Sequence, residues 1–415
     1  MTPDAQSRMS REIDRRMALA REWDDLVEQV RGIEGFEDFL RPPPLDSLLR
    51  AAEGGPVVIV NVSQWRCDAL IVTHDGVQVT KLHGLTSEEV TRRTTAFLRV
   101  LQGVAPAAPG LSFTEALKAR ARSLAERDEV LRSTTEWLWD AIADPVLTAL
   151  GAGQADPAGP SSRLWWCPTG LLTLLPLHGA GYHQARDGRT VLDRVVSSYT
   201  PTLRALSEAR KPRTAAPSGP GQLLFVGVPE APDQLQMAED VAREQDFLAA
   251  HFPGGLTVLS GQDATVAAVQ AAMPRHRWVH VSCHGYQDLR DPSAAGLELS
   301  DGTLTITRLS GARYSGELAF LSACRTAAGG VDLPDEVITL AAALNYTGYR
   351  HVVATLWSVD PAVAADVATA VYAELITGGG FHPDGSAAAL HHAVRTLRDG
   401  GRPLDEWLPF THTGP

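Results

Sequence analysis

Between Leu223 and Arg398 short apolar runs alternate with longer segments whose apolar residues recur every three or four positions. Leu223–Val228, Leu256–Ser260, Trp278–Cys283, Leu318–Leu321 and His351–Leu356 are rich in Val, Leu and Phe and too short for helices, so each predicts a buried strand. The segments Gln236–Ala250, Ala264–Ala272, Pro334–Tyr346, Pro361–Ile376 and Ser386–Arg398 predict helices. Strands and helices in such alternation imply an α/β fold with a mostly parallel sheet covered on both faces. Asp301–Gly302, set between the alternating residues of Leu297–Ile306, predicts a hairpin.

The first half repeats this grammar less regularly. Val57–Val62, Cys67–Thr73, Val77–Lys81, Leu164–Pro168 and Val195–Thr200 predict strands, with Asp75–Gly76 as a turn. Helices are expected over Ser87–Gln102 and Phe113–Leu150, and Gly151–Ser162 is a loop. Ahead of them Ile13, Met17, Ala20, Trp23, Val27 and Val30 mark an amphipathic helix from Ser10 to Arg31, stopped by Gly32. Pro42–Pro44 stiffens a short linker, and Lys211–Gly221, rich in Pro, Gly, Ser and Ala, is the best internal boundary. The expected organisation is a helix and linker over 1–44, a first lobe over 45–210, a tether over 211–221 and a second lobe over 222–415.

Two strands of the second lobe end in chemistry. Trp278–Cys283 runs into His284–Gly285, and Leu318–Leu321 runs through Ser322 and Ala323 into Cys324. Reaction sites of doubly wound sheets lie off the carboxyl ends of parallel strands, and a His and a Cys there are the material of a nucleophilic dyad. Each residue also has a plainer reading, a satisfied loop histidine and a small buried thiol. Gly285 favours the chemical reading because it lets backbone approach a substrate, as does the polar, Gly-rich Arg325–Gly330 after Cys324. Zinc is not expected, since Cys283 and His284 are adjacent on a strand and point to opposite faces. A second pair, Cys167 with His178, is rejected: eleven residues leave no room for the crossover between two parallel strands.

The run HVSCHG, GLELSDGTLT, FLSACRTA, an Ala-rich helix and GYRHVVATLWSVD resembles the CHAT domain, a family of caspase-like, separase-related cysteine peptidases of clan CD. The similarity extends over about residues 45–415, with LLTLLPLHGAG in the weaker half and WLPFTHTGP resembling the terminal strand. It implies a caspase-like three-layer αβα sandwich, with a degenerate N-terminal lobe that is catalytically silent and an active C-terminal lobe. It implies a cysteine endopeptidase acting on protein substrates, a regulated effector of the bacterial defence or programmed-death type. Cys324 would attack the scissile carbonyl, His284 would protonate the leaving amine, and the backbone N–H groups of Gly285 and Cys324 would form the oxyanion hole. Such a hole is worth on the order of 3 kcal/mol per donor. Trp357, Ser358 and Asp360 would contribute to the substrate pocket, although Asp360 before Pro361 also reads as a helix cap. No third catalytic residue and no cofactor are assigned. Separases carry an acidic residue where this chain has Ser358, which removes the basis for a preference for basic residues. The rival from another class is a caspase-like scaffold that binds without cutting.

Composition narrows the setting. The net charge of −12 and the lack of a basic stripe argue against nucleic acid as a direct partner. No apolar stretch is long enough to span a membrane, and MTPDAQSRMSREIDRR lacks a signal-peptide core. Four unpaired cysteines, 67, 167, 283 and 324, suit a reducing cytoplasm. The N-terminal helix and GFEDFLRPPP resemble the junction to a tetratricopeptide array, and no repeat near 34 residues is visible. An activating or repeat-containing protein partner is therefore expected.

Overall fold

The computed structural model describes residues 3–37, 39–101, 112–152, 162–211, 222–229, 235–286, 292–322 and 339–415. It divides into two compact units, Met1–Arg50 and Ala51–Pro415. The first contains α1 (Pro3–Arg31), which starts about two turns before the expected Ser10, and the short α2 (Leu45–Leu49). Among the described side chains of the apolar stripe on α1, Val27 is buried, whereas Met17 and Trp23 are exposed.

The second unit is built on one eleven-stranded sheet. Its strands are β1 (Val57–Asn61), β2 (Asp68–Thr73), β3 (Gly76–Lys81), β4 (Arg163–Pro168), β5 (Val196–Tyr199), β6 (Leu223–Gly227), β7 (Leu256–Ser260) and β8 (Trp278–Ser282). After the small strands β9 (His284–Tyr286), β10 (Gly296–Leu299) and β11 (Gly302–Thr305) come β12 (Leu318–Leu321) and β13 (His351–Thr355). A two-residue hairpin, β14 (Ile376–Thr377) and β15 (Gly380–Phe381), precedes the last strand, β16 (Phe410–Thr413). The order is β3-β2-β1-β4-β5-β16-β13-β12-β8-β6-β7. Every residue of β6, β8, β12 and β13 is buried, so both faces of the second half are covered. Continuous apolar runs, rather than alternation, are what such strands require.

The helices of this unit are α3 (Ser87–Leu101), α4 (Phe113–Leu138), α5 (Asp144–Ala149), α6 (Leu203–Arg210), α7 (Leu235–His251), α8 (Val266–Ala272), α9 (Ile306–Ser310), α10 (Leu340–Thr347), α11 (Pro361–Leu375), α12 (Ser386–Asp399) and α13 (Leu404–Trp407). The long helix expected over Phe113–Leu150 is interrupted by a π turn at Trp139–Ala143. Its start carries a full capping box, Ser112 with Glu115. The sequence reading missed α6, α9 and the β14–β15 hairpin, all of eight residues or fewer and too short for periodicity to declare.

The terminal strand joins the halves. β16 pairs antiparallel with β13 and, through Thr413 and Tyr199, parallel with β5. The strands β1, β4 and β5 therefore run opposite to β6, β7, β8, β12 and β13, and their carboxyl ends lie at the other edge of the sheet. The tether expected at 211–221 joins two halves of one sheet, and positions 212–221 lie outside the described residues.

A buried polar chain crosses this seam. Arg163 Nη2 donates to Ser198 Oγ (2.7 Å), Ser198 is 2.8 Å from His412 Nδ1, His412 Nε2 is 3.1 Å from His351 Nδ1, and His351 Nε2 is 3.0 Å from Asp384 Oδ1. One set of tautomers satisfies every member: each imidazole is neutral, donates from Nε2 and accepts at Nδ1. Burial holds the pKa of His412 well below the ordinary value, with His351 adding to the effect. Nearby, His178 Nδ1 meets the Tyr199 hydroxyl at 2.9 Å and Nε2 the Leu408 carbonyl at 2.9 Å.

Burial also depresses His178 and His183 to about 4 and His391 to about 3. Unfolded, these histidines titrate near 6.5. Below that pH the unfolded chain binds protons that the folded chain refuses, so stability falls as pH drops from about 6.5 towards 4. Each histidine contributes about 1.4 kcal/mol per pH unit once the unfolded form is protonated. Urea unfolding between pH 7.5 and 5 should show this loss, approaching four protons in slope. A flat profile would contradict the neutral assignment.

Candidate active site

The site expected from the sequence lies at the carboxyl edge of the second half. β8 and β12 are neighbours, hydrogen-bonded in parallel with Phe320 opposite His280 and Leu321 opposite Val281. Ser322 extends the ladder, its N–H donating to the Val281 carbonyl at 2.8 Å. The described ends of β8 and β12 therefore lie side by side, at Ser282 and Ser322.

His284 and Gly285 do not continue the central sheet. They form β9, which pairs antiparallel with β10, Glu298 opposite His284 and Leu297 opposite Gly285. The β10–β11 hairpin turns where Asp301–Gly302 predicts, with Gly302 at φ +147, and Asp301 Oδ1 accepts the Val266 N–H at 2.7 Å. The first turn of α8 therefore steadies the hairpin that carries the histidine strand. His284 and Gly285 are half-buried. Cys324 and the Arg325–Gly330 stretch lie outside the described residues.

The other thiols behave as packing groups. Cys67, Cys167 and Cys283 are buried and unbridged. Burial pushes the Cys167 thiol up to about 12, and its sulfur lies 3.4 Å from the Pro201 carbonyl. With His178 held by Tyr199 and Leu408, these two residues have separate partners and form no dyad. Among the described residues no cluster of His, Cys, Asp and Glu could hold a metal.

The three residues expected near the substrate are placed differently from one another. Trp357 is buried at 2% exposure, stacks edge-on against Phe97 of α3 at 5.4 Å, and donates from Nε1 to the Asp405 carbonyl at 3.3 Å. Its side chain is a wall under the loop rather than an open surface. Ser358 is exposed. Asp360 caps α11, its Oδ1 accepting the Ala362 N–H at 2.9 Å with Pro361 in the first turn.

Sequence reasoning missed what lies beneath the strand ends. Glu244 of α7, only 3% exposed, accepts the Ser322 hydroxyl at 2.6 Å through Oε1. Its Oε2 is 3.4 Å from His280 Nε2, an electrostatic contact without hydrogen-bond alignment. The His280 ring lies flat between Phe225 of β6 and Phe320 of β12, at 5.5 and 5.1 Å, and its Nδ1 is 3.3 Å from the Tyr372 hydroxyl. Burial, reinforced by Glu244, raises the Tyr372 pKa. A signal was present: Met237, Val241, Glu244 and Leu248 share the buried stripe of α7, and a carboxylate in an apolar position needs a partner.

The cap on α11 is directly testable. Asp360→Ala should cost about 1 kcal/mol of stability in denaturant unfolding, and Asp360→Asn most of an order less. Equal losses from both would show that the carboxylate charge, not the cap, matters.

The family model of the CHAT domain matches residues 132–415. No curated protein sequence is significantly similar to the chain. Separase in the Saccharomyces cerevisiae separase–securin complex has the same fold in two crystal structures, with TM-scores of 0.64 and 0.61 at 8% and 9% identity. Both likenesses cover 89% of this chain, which spans 31% and 30% of the separase chain. A looser likeness, TM-score 0.44 and 13% identity, covers 69% of this chain and 76% of Porphyromonas gingivalis RgpB in its pro- and mature-domain complex. With the family model matching over two thirds of the chain, a span that includes β8, β9 and β12, the chain belongs to the CHAT domain family.

Proposed function

We propose that this protein is a cysteine endopeptidase that cleaves protein substrates with Cys324 and His284. The observation that carries the reading is the parallel pairing of β8 with β12. It sets the end of β8, two residues before His284 in the sequence, beside the end of β12, three residues before Cys324, which supports a shared site. Cys324 attacks the scissile carbonyl as thiolate, and His284 takes up the thiol proton and returns it to the leaving amine. A histidine with an ordinary pKa near 6.5 suits both steps at neutral pH. The N–H groups of Gly285 and Cys324 stabilise the tetrahedral oxyanion. Ser358 and the backbone around Trp357 border the pocket for the residue before the cut, with Asp360 holding that loop to α11.

The same reading makes the enzyme a regulated effector. Saccharomyces cerevisiae separase is solved with securin bound, and a protein partner of comparable standing would control this chain. A partner that binds only the competent arrangement raises activity by shifting population, and no further than its differential affinity allows.

Cys324→Ala and His284→Ala should each lower peptide hydrolysis by at least about a thousandfold while leaving circular dichroism and melting unchanged. Cys67→Ser, Cys167→Ser and Cys283→Ser should lose stability and keep turnover per folded molecule. Retained hydrolysis in either dyad variant would remove the assignment. Absence of hydrolysis in the wild-type chain, with and without proteins that co-purify with it, would favour a non-catalytic scaffold.

A further inference from the structure

We propose that Glu244 is a positioning residue for the nucleophile, acting through Ser322; the inference rests on the peptidase reading of Cys324. Ser322 is the last described residue of the β12 chain, two positions before Cys324 in the sequence. It is tied twice. Its N–H donates to Val281 of the histidine strand, and its hydroxyl donates to Glu244 of α7. At 2.6 Å the second bond has the length of a hydroxyl donating to an ionised carboxylate, a stronger contact than a neutral one.

A carboxylate at this depth is costly unless its partners recover the lost hydration. A purely structural role does not call for it, because Met237, Val241 and Leu248 already fill the same stripe of α7. What the carboxylate adds is direction. The Ser322 hydroxyl donates to Glu244, which fixes one side-chain rotamer at the end of β12. His280 closes the other side: its ring is immobilised between Phe225 and Phe320, and its Nε2 faces Oε2. The groups meeting at Glu244 therefore come from α7, β8 and the end of β12, the two strands that lead to the dyad.

The residue before it extends the device. Arg243 Nη1 donates to Asp366 Oδ1 at 2.9 Å and Nη2 to the Ala362 carbonyl at 2.8 Å. Both acceptors lie in the first half of α11, directly after the Trp357–Asp360 loop. Consecutive residues of α7 thus hold the exit of the nucleophile strand and the base of the substrate loop. Nucleophile misplacement by about 1 Å is enough to cost on the order of a hundredfold in rate.

The test uses the full chain and reads kcat, KM and the pH profile of Cys324 carbamidomethylation by iodoacetamide, followed by mass spectrometry. Glu244→Gln and Ser322→Ala should each lower kcat at least tenfold with KM within twofold, and shift the alkylation profile. Ser322→Thr, which restores the hydroxyl, should recover most of kcat. The double variant should be no worse than the poorer single one, because both remove one interaction. Ser322→Ala leaves α7 intact, so the test stands even if Glu244→Gln fails to fold. Loss of melting temperature with unchanged kcat and unchanged alkylation in the folded variants would overturn the proposal. Hydrolysis that survives Cys324→Ala would instead overturn the peptidase reading. The alkylation profile would then still report whether Glu244 orders the strand exit.

Discussion

The protein depends on one constraint, the burial of β8 and β12 side by side under helices on both faces. A strand buried on both faces must be apolar along its length, and these are: Trp278, Val279 and Val281 in one, Leu318 to Leu321 in the other. That burial fixes register, since a one-residue slip would exchange the faces of every side chain. Register in turn decides which residues leave the sheet together. Polar residues collect where the apolar runs stop, and Ser322 and His284 follow where β12 and β8 stop.

Two polar residues beneath the strand ends are handled differently. The His280 ring at the centre of β8 is stacked between Phe225 and Phe320. Glu244 is met by the Ser322 hydroxyl and faces the His280 imidazole. Across the sheet the histidines of the seam are chained by hydrogen bonds from Arg163 to Asp384. The halves are joined by polar directionality at the seam and by apolar packing elsewhere.

Much of this was legible in the sequence. The apolar strands β8 and β12, the Asp301–Gly302 hairpin and the Asp360–Pro361 start of α11 are local signals of composition and turn chemistry. The CHAT domain resemblance rested on the same residues, and the family match agrees with it. What could not be read was long-range. Nothing in WLPFTHTGP says that β16 inserts between β5 and β13, or that the first half therefore runs opposite to the second. Trp357 was placed near the pocket by the family resemblance, and the packing of its ring against Phe97 and α13, far away in sequence, is a long-range feature. Glu244 was overlooked because one carboxylate in a helix with many reads as surface until its neighbours on the stripe are counted.

The central claim is that Cys324, alone among four cysteines, is an activated nucleophile paired with His284. The direct measurement is labelling of the folded chain by a thiol-directed peptidyl inhibitor, located by intact mass and peptide mapping. The account predicts one adduct, on Cys324, lost in His284→Ala and slowed in Glu244→Gln. Labelling that spreads over Cys67, Cys167 and Cys283, or that is indifferent to His284, would contradict it.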